Sequence, residues 1–334
     1  MFSFDQILGN KILIQHLKSA INRGKISHAY IFQGQAGLGK KTLANTFAKT
    51  IQCTAGTDEP CNSCISCKTF ETGNHPDIIY VTATKTKALG VTDIRQQINE
   101  TVDIHPYYYP YKIYIIDKAD TMTPAAQNAL LKTIEEPPSY GIFLLLSARK
   151  ESLLPTIISR CVPLVLTPLS PHQVEDHLKG KLELSPEEAA FLSTYTQGNL
   201  GRAIALVQDE AFIDLKQRVT ELAAKLTEKE NDIASLLAVA KELEQYKESI
   251  QDALDILILW HRDLLVKKTA GSGFMWQKDR KTPTDTGRID LKALLTRLEA
   301  LFNAKEQLWQ NGNFQLTMEI MLLKMYGWNE IIGV

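Results

Sequence analysis

Residues 34–40, Gly34-Gln35-Ala36-Gly37-Leu38-Gly39-Lys40, place glycines and a lysine at the spacing G-x-x-x-x-G-K. Glycines at those intervals let successive backbone N–H groups turn toward one phosphate, and the lysine adds a point charge beside the positive end of a helix. The apolar run Tyr30-Ile31-Phe32-Gln33 before the loop reads as a short buried strand, and residues 42–51 read as the helix behind it. The position after the loop lysine ordinarily supplies a hydroxyl to Mg²⁺. Here it is Lys41, and an ammonium cannot ligate a cation. The hydroxyl of Thr42 comes one residue late, roughly 100° around a helix. The loop predicts phosphate binding through Gly34, Gly37, Gly39 and Lys40, with Thr42 displaced and metal handling impaired.

Residues 111–117, Tyr111-Lys112-Ile113-Tyr114-Ile115-Ile116-Asp117, form a β-rich run ending in an acid. Such a strand carries the Mg²⁺-coordinating Asp in hydrolases built on this kind of loop, and a Glu beside that Asp commonly activates the attacking water. The neighbour here is Lys118, which is no base while charged, and Asp120 would need a different backbone path to reach the same water. Two positions altered in one site predict that phosphate is held without hydrolysis.

Four of the five cysteines crowd together as Cys53-x₇-Cys61-x₂-Cys64-x₂-Cys67. Four thiolates in so short a span can close a tetrahedron around Zn²⁺ at about 2.3 Å per bond. Such a site leaves no position for water, which makes it structural, and it suits a small insertion with almost no apolar core. Cys161 stands apart among Ile157, Ile158 and Val162 and reads as a buried small side chain.

At 334 residues the chain has room for about two or three domains. Apolar content of 44% and charged content of 22% are ordinary for a globular protein, and a net charge of -1 spreads no basic field over the molecule. Lys85 and Lys87 make only a small cluster, read as a solvated loop. No stretch approaches about eighteen apolar residues, and Met1-Phe2-Ser3-Phe4-Asp5 lacks a charged leader region. The expectation is a cytoplasmic protein without membrane partners.

The elements that must position these residues alternate. Helical patterns at 4–23, 42–51, 91–102 and 124–136 separate strand patterns at 30–33, 77–81, 111–117 and 141–146. That alternation implies a parallel sheet covered on both faces, with phosphate chemistry beyond the carboxyl ends of its strands. From Leu166 the pattern turns helical: Ser170-Pro171 and Ser185-Pro186 look like capped helix starts, and residues 198–202 like a turn opening another helix. Beyond Asp209 the pattern stays helical, including 236–243, 250–266 and 291–309, while 269–287 reads as a mobile loop. Trp309, Phe314, Met318 and Met321 are candidates for a contact surface.

Several segments together resemble the AAA+ subunits of bacterial DNA polymerase III clamp loaders. They are residues 4–10, His28-Ala29-Tyr30, the phosphate loop with its cysteine insertion, residues 128–138 (Asn-Ala-Leu-Leu-Lys-Thr-Ile-Glu-Glu-Pro-Pro) and residues 154–161 (Leu-Pro-Thr-Ile-Ile-Ser-Arg-Cys). The resemblance runs nearly end to end. It implies an α/β AAA+ P-loop domain at 1–166 with the zinc module at 53–67, a small helical lid domain at 167–208 and an all-α collar domain at 209–334. It implies that Arg160 is an arginine finger acting in trans on a neighbouring subunit's ATP, the alternative being a structural arginine paired with a nearby acid. It also implies that Arg202 sits where a lid arginine would reach phosphate, and that Ser147-Ala148-Arg149 replaces the polar pair of motor sensor strands. Lys41 and Lys118 depart from the motors and resemble a rigid stator subunit instead. The implied partners are gamma/tau and delta subunits and, through the complex, the sliding clamp and primer-template DNA. The implied cofactors are structural Zn²⁺ and, left open, ATP in the loop. Two other readings stay open: an active gamma/tau-type ATPase, and a zinc-containing nucleic-acid-binding protein with a vestigial loop.

Overall fold

The computed structural model describes residues 2–84, 88–228, 232–270 and 290–328. Lys85, Lys87 and all but the first two residues of the expected loop at 269–287 lie outside them. The chain divides into two compact units, Met1–Leu169 with Asn199–Arg202, and Ser170–Gly198 with Ala203–Val334.

In the first unit, β1 (Ala29–Gln33), β2 (Ile78–Val81), β3 (Lys112–Ile116), β4 (Gly141–Ser147) and β5 (Val162–Val165) form, among the described residues, one five-stranded sheet in the order β2-β3-β4-β1-β5. Every pairing is parallel, with Tyr30 opposite Leu144 and Val162, and Ile115 opposite Leu144. Successive side chains of a strand point to opposite faces, so each strand feeds two cores. One face receives Tyr30, Phe32, Ile113, Ile115, Leu144 and Leu146 and is covered by α1 (Lys11–Asn22) and α2 (Lys40–Ile51). The other receives Ile31, Tyr114, Ile116, Phe143 and Leu145 and is covered by residues of α4 (Val91–Ile94), α5 (Pro124–Glu135) and α6 (Pro155–Ile158). A short helix follows α2 before β2, α3 (Ile65–Glu71), which Cys64 caps and which carries Cys67. Burial on both faces explains why β3 and β4 read as unbroken apolar runs.

The structure differs from the expected elements in four places. The helix at 4–23 is a 3₁₀ turn, Phe4–Gln6, followed by α1, because Gly9 and Asn10 both take left-handed backbone at φ +70° and +50°. The helix at 91–102 leaves α geometry after Ile94 and continues as a π turn, Arg95–Asn99, closed by Glu100 N–H donating to the Arg95 carbonyl at 2.9 Å. Strand β5 was not expected; its Pro163 suits the edge position it occupies. Helix α3 was not expected; its Phe70, just beyond the cysteine module, is buried in the first core and meets Phe2 edge-on at 5.6 Å.

The second unit is helical throughout its described elements. Its helices are α7 (Pro171–Leu182), α8 (Pro186–Tyr195), α9 (Leu200–Val207, whose first three residues count with the first unit), α10 (Glu210–Glu228), α11 (Ile233–Leu243), α12 (Ile250–Ala270), α13 (Leu291–Trp309) and α14 (Phe314–Met325). Ser170 and Ser185 cap α7 and α8 as expected, Ser170 in a capping box with Gln173. Met318 and Met321 are buried on α14 and belong to the core, whereas Trp309 is 83% exposed. Among the described residues no helix is long and apolar enough to cross a membrane.

Candidate phosphate, arginine and metal sites

The phosphate loop joins β1 to α2, so the sheet's carboxyl edge and the amino end of a twelve-residue helix converge on it. Gly37 has φ +89°, and a Cβ there would stand 2.3 Å from Asn199 Oδ1 and 2.9 Å from the Arg202 nitrogen. This close approach is what the glycine permits. Asn199 Nδ2 donates to the Ala36 carbonyl at 2.7 Å, the Gly201 amide donates to the Gly37 carbonyl at 3.1 Å, and Asn199 Oδ1 accepts from the Arg202 amide at 3.0 Å. Asn199–Arg202 therefore clasps the turn of the loop, which brings the backbone of Arg202 to it. Lys40 Nζ donates to the carbonyls of Gly34 at 2.5 Å and Gln35 at 2.9 Å. Burial lowers its pKa, opposed by the charges of Asp120 and Asp117. Thr42 lies exposed on the first turn of α2.

Asp117 follows β3 directly, and its Oδ1 accepts from the amide of Lys118, which holds left-handed backbone at φ +52°. Its other oxygen lies 3.4 Å from Lys41 Nζ. Asp120 Oδ1 accepts from the Ala148 amide at 3.2 Å, Oδ2 faces Arg149 Nε at 3.9 Å, and Ser147 Oγ donates to the Arg149 carbonyl at 2.9 Å. The ends of β3 and β4 are thus tied through Asp120. Mg²⁺ demands near-ideal octahedral oxygen coordination at about 2.0–2.1 Å. An ammonium stands where the hydroxyl ligand would be and already faces the carboxylate ligand, so the residues present do not fit that ion.

Arg160 follows α6. Its Nη2 pairs with Glu135 Oε1 at 2.8 Å, and its Nη1 donates to the Thr156 carbonyl at 3.0 Å. Both side chains of the pair remain substantially exposed, 38% and 43%. The segment is fixed from behind. Buried Gln127 donates through Nε2 to the Met122 and Ser152 carbonyls and accepts from the Leu154 amide at 2.7 Å. Ile157 and Cys161 are buried beside it, and burial pushes the Cys161 thiol up to about 12.

The four expected ligands meet. The Sγ atoms of Cys53, Cys61, Cys64 and Cys67 all lie within 4.8 Å of one another, with Cys53 and Cys64 at 4.0 Å. A tetrahedron with bonds of about 2.3 Å has edges of about 3.8 Å, so the donor set fits a thiolate-bound metal ion. Backbone amides of Cys61, Cys64 and Cys67 donate to the sulfurs of Cys53, Cys61 and Cys64 at 3.3, 3.4 and 3.4 Å. The Ser63 hydroxyl and neighbouring amides hold the Cys61 thiol down to about 5, whereas burial pushes the Cys53 and Cys67 thiols up. Lys49, fully buried on α2, anchors the module by donating to Asn62 Oδ1 and Glu71 Oε1, each at 2.5 Å.

The structure therefore gathers Gly34, Gly37, Gly39, Lys40, Asp117 and Arg202 at one end of the sheet, the four cysteines in a module on α2, and Arg160 on the segment between α6 and β5. Sequence reasoning missed Asn199, Glu135, Gln127 and Lys49. The Glu135-Glu136-Pro137-Pro138 stop after α5 was the one available hint for Glu135.

A family model described as DNA polymerase III, delta subunit, matches residues 9–170. The DNA polymerase III subunit delta' of Bacillus subtilis is 31% identical over 316 residues, covering 92% of this chain and 94% of that protein. The subunit tau of the same organism is 28% identical over 349 residues, covering 96% of this chain and 61% of its own length. Among solved structures, a DNA polymerase III gamma subunit-related protein of Thermotoga maritima is similar at 20% identity over 94% of this chain and 98% of that one, with a TM-score of 0.38.

Proposed function

Since this chain belongs to the family of DNA polymerase III clamp-loader subunits and is most like delta', we propose that it is the stator of its ring. In this reading it helps load the sliding clamp on primed DNA, lends Arg160 to a neighbouring motor subunit and hydrolyses no ATP itself. The observation that carries the stator role is the Lys41–Asp117 pair beside Lys118. Positive charge occupies both the cation position and the general-base position of a hydrolysing loop.

Arg160 completes the neighbour's site. A guanidinium forks onto phosphate oxygens and spreads the charge that develops as the γ-phosphoryl group leaves. Glu135 holds it at the surface, ready to be exchanged for phosphate when the subunits close. The metal in the cysteine module is Zn²⁺, bound structurally by Cys53, Cys61, Cys64 and Cys67. Residues 167–208 serve as lid and 209–334 as collar. The collar reading is supported by α13, whose Leu291, Leu295, Phe302 and Trp309 are all exposed at 40% or more and repeat at near-heptad spacing. Its partners are gamma/tau and delta subunits, with clamp and primer-template DNA reached through the complex in the cytoplasm.

The test is DNA-stimulated ATP turnover by a ring rebuilt from motor subunits and this chain, wild type against Arg160→Ala. An arginine finger is worth about 10³-fold or more at its own site. Turnover should fall to the level set by the remaining interfaces while the ring stays assembled on gel filtration. Unchanged turnover makes Arg160 a structural partner of Glu135 and ends the finger reading.

A further inference from the structure

In hydrolysing P-loop proteins a divalent cation bridges phosphate oxygens and is held by the hydroxyl after the loop lysine and the acid at the strand end. Both positions are close together here, but they hold each other. Lys41 Nζ lies 3.4 Å from Asp117 Oδ2 and 5.9 Å from the centre of the Tyr80 ring, whose hydroxyl is anchored on Asn45 Oδ1 at 3.2 Å. An ammonium between a carboxylate and an aromatic face is a bound monocation in all but covalent attachment. It also repels a second cation from the same carboxylate.

We propose that Lys41 takes the cation's place, so that this loop binds a nucleoside di- or triphosphate without a divalent metal. The proposal rests on the reading that residues 34–40 accept a nucleotide, and it deepens that reading by naming the ligand form. The incoming phosphates draw Lys40 off the Gly34 and Gln35 carbonyls, while Lys41 turns from Asp117 toward the outer phosphate oxygens. Its side chain is 59% exposed and has room to turn. A lysine serves well in this role, since as a point charge it needs no fixed coordination geometry. The rest of the cradle is already set, because Asn199 and Gly201 fix the loop's turn through the Ala36 and Gly37 carbonyls. The metal-free species is also the more highly charged form of the nucleotide, which suits a site carrying Lys40 and Lys41 together.

The experiment measures the affinity of the full chain for fluorescent ADP and ATP analogues, in Mg²⁺ and in EDTA, for wild type, Lys41→Thr and Lys41→Met. Wild type should bind within about twofold in both buffers. Lys41→Thr restores the hydroxyl ligand and should become Mg²⁺-dependent, weakening about tenfold or more in EDTA. Lys41→Met should be weak in both. Wild-type binding that collapses in EDTA overturns the proposal, as does Lys41→Met binding that matches wild type in EDTA. Binding of neither nucleotide in either buffer overturns it together with nucleotide acceptance by the loop. The Arg160 turnover assay does not depend on this chain's own loop, so the two failures are distinguishable.

Discussion

Replacing Lys49 with methionine should loosen the cysteine module and leave the sheet intact. Methionine keeps the apolar stem and its length but removes the charge. The ammonium is fully buried and donates to Asn62 Oδ1, Glu71 Oε1 and, at 3.5 Å, the Phe2 carbonyl. Breaking a fully buried pair costs about 3–5 kcal/mol. Glu71 is 35% exposed and keeps the Phe2 amide as a donor when the ammonium is removed, which lowers that figure. A hydrogen bond to a charged group is worth about 1.5–3 kcal/mol. The Asn62 contact falls at the low end because Asn62 is only part-buried, and the long Phe2 contact adds little. The net expectation is about 2–3 kcal/mol of local stability, or about 30- to 150-fold faster native-state hydrogen exchange for amides at 53–71. The hydrogen bond from Lys49, helped by the Phe2 amide, holds the Glu71 carboxyl below its ordinary value of 4.5. The unfolded module therefore takes up that proton first as pH falls. The pair's contribution is full above pH 4.5 and is lost as pH drops through the lower folded value. Wild type should show this acid loosening and Lys49→Met should not. A rise in exchange below about fivefold, or an equal rise in β4, would refute Lys49 as the anchor.

Two further outcomes follow from buried chemistry. His261 is fully buried on α12 with Nδ1 donating to the Leu257 carbonyl, and burial, aided by nearby Arg297, brings its pKa down to about 4. The unfolded chain protonates near 6.5 and the folded chain only near 4, so the helical unit should lose up to about 3 kcal/mol across that window. His261→Leu should flatten this slope in denaturant titrations, and an unchanged slope would assign it to other groups. Metal analysis of the purified chain should find one Zn²⁺, and Cys61→Ser should lose it and open residues 53–64 to proteolysis, since such a site contributes on the order of 10 kcal/mol locally. A metal-free wild type, or full retention by Cys61→Ser, would count against the site.

The loop, its flanking strand and helix, and the cysteine quartet were legible because each is local: glycine spacing, an apolar run and ligand spacing all lie within a few residues. The alternation of strands and helices was legible for the same reason. What escaped was set by distance or by single backbone choices. Asn199 meets Ala36 across 163 positions, and nothing in Gly198-Asn199-Leu200-Gly201 announces that partner. Lys49 sits in an ordinary helical stretch, and its partners Asn62 and Glu71 lie 13 and 22 positions further on. The break before α1 depends on two consecutive left-handed residues, and Pro163 hid an edge strand. Met318 and Met321 looked as available for contact as Trp309, because periodicity marks a face without saying what covers it.

Hydrolysis at a loop of this kind needs a cation ligand, a base for the water and an arginine from outside. The first two requirements fall on this chain's own site, where Lys41 stands at the position of the hydroxyl ligand and Lys118 at that of the base. Each replacement is cationic, which in the proposed reading keeps the site complementary to phosphate and removes the means to cleave it. In the proposed reading the third requirement concerns a different subunit's nucleotide and falls to a different part of the fold, the segment that carries Arg160. Arg160 pairs with Glu135 and the Thr156 carbonyl on the segment between α6 and β5, which Gln127 ties down at the Ser152 carbonyl and the Leu154 amide. The two roles are therefore physically separable, and losing the first places no strain on the second. In the proposed reading such a separation lets a ring keep a member that lends its arginine without firing.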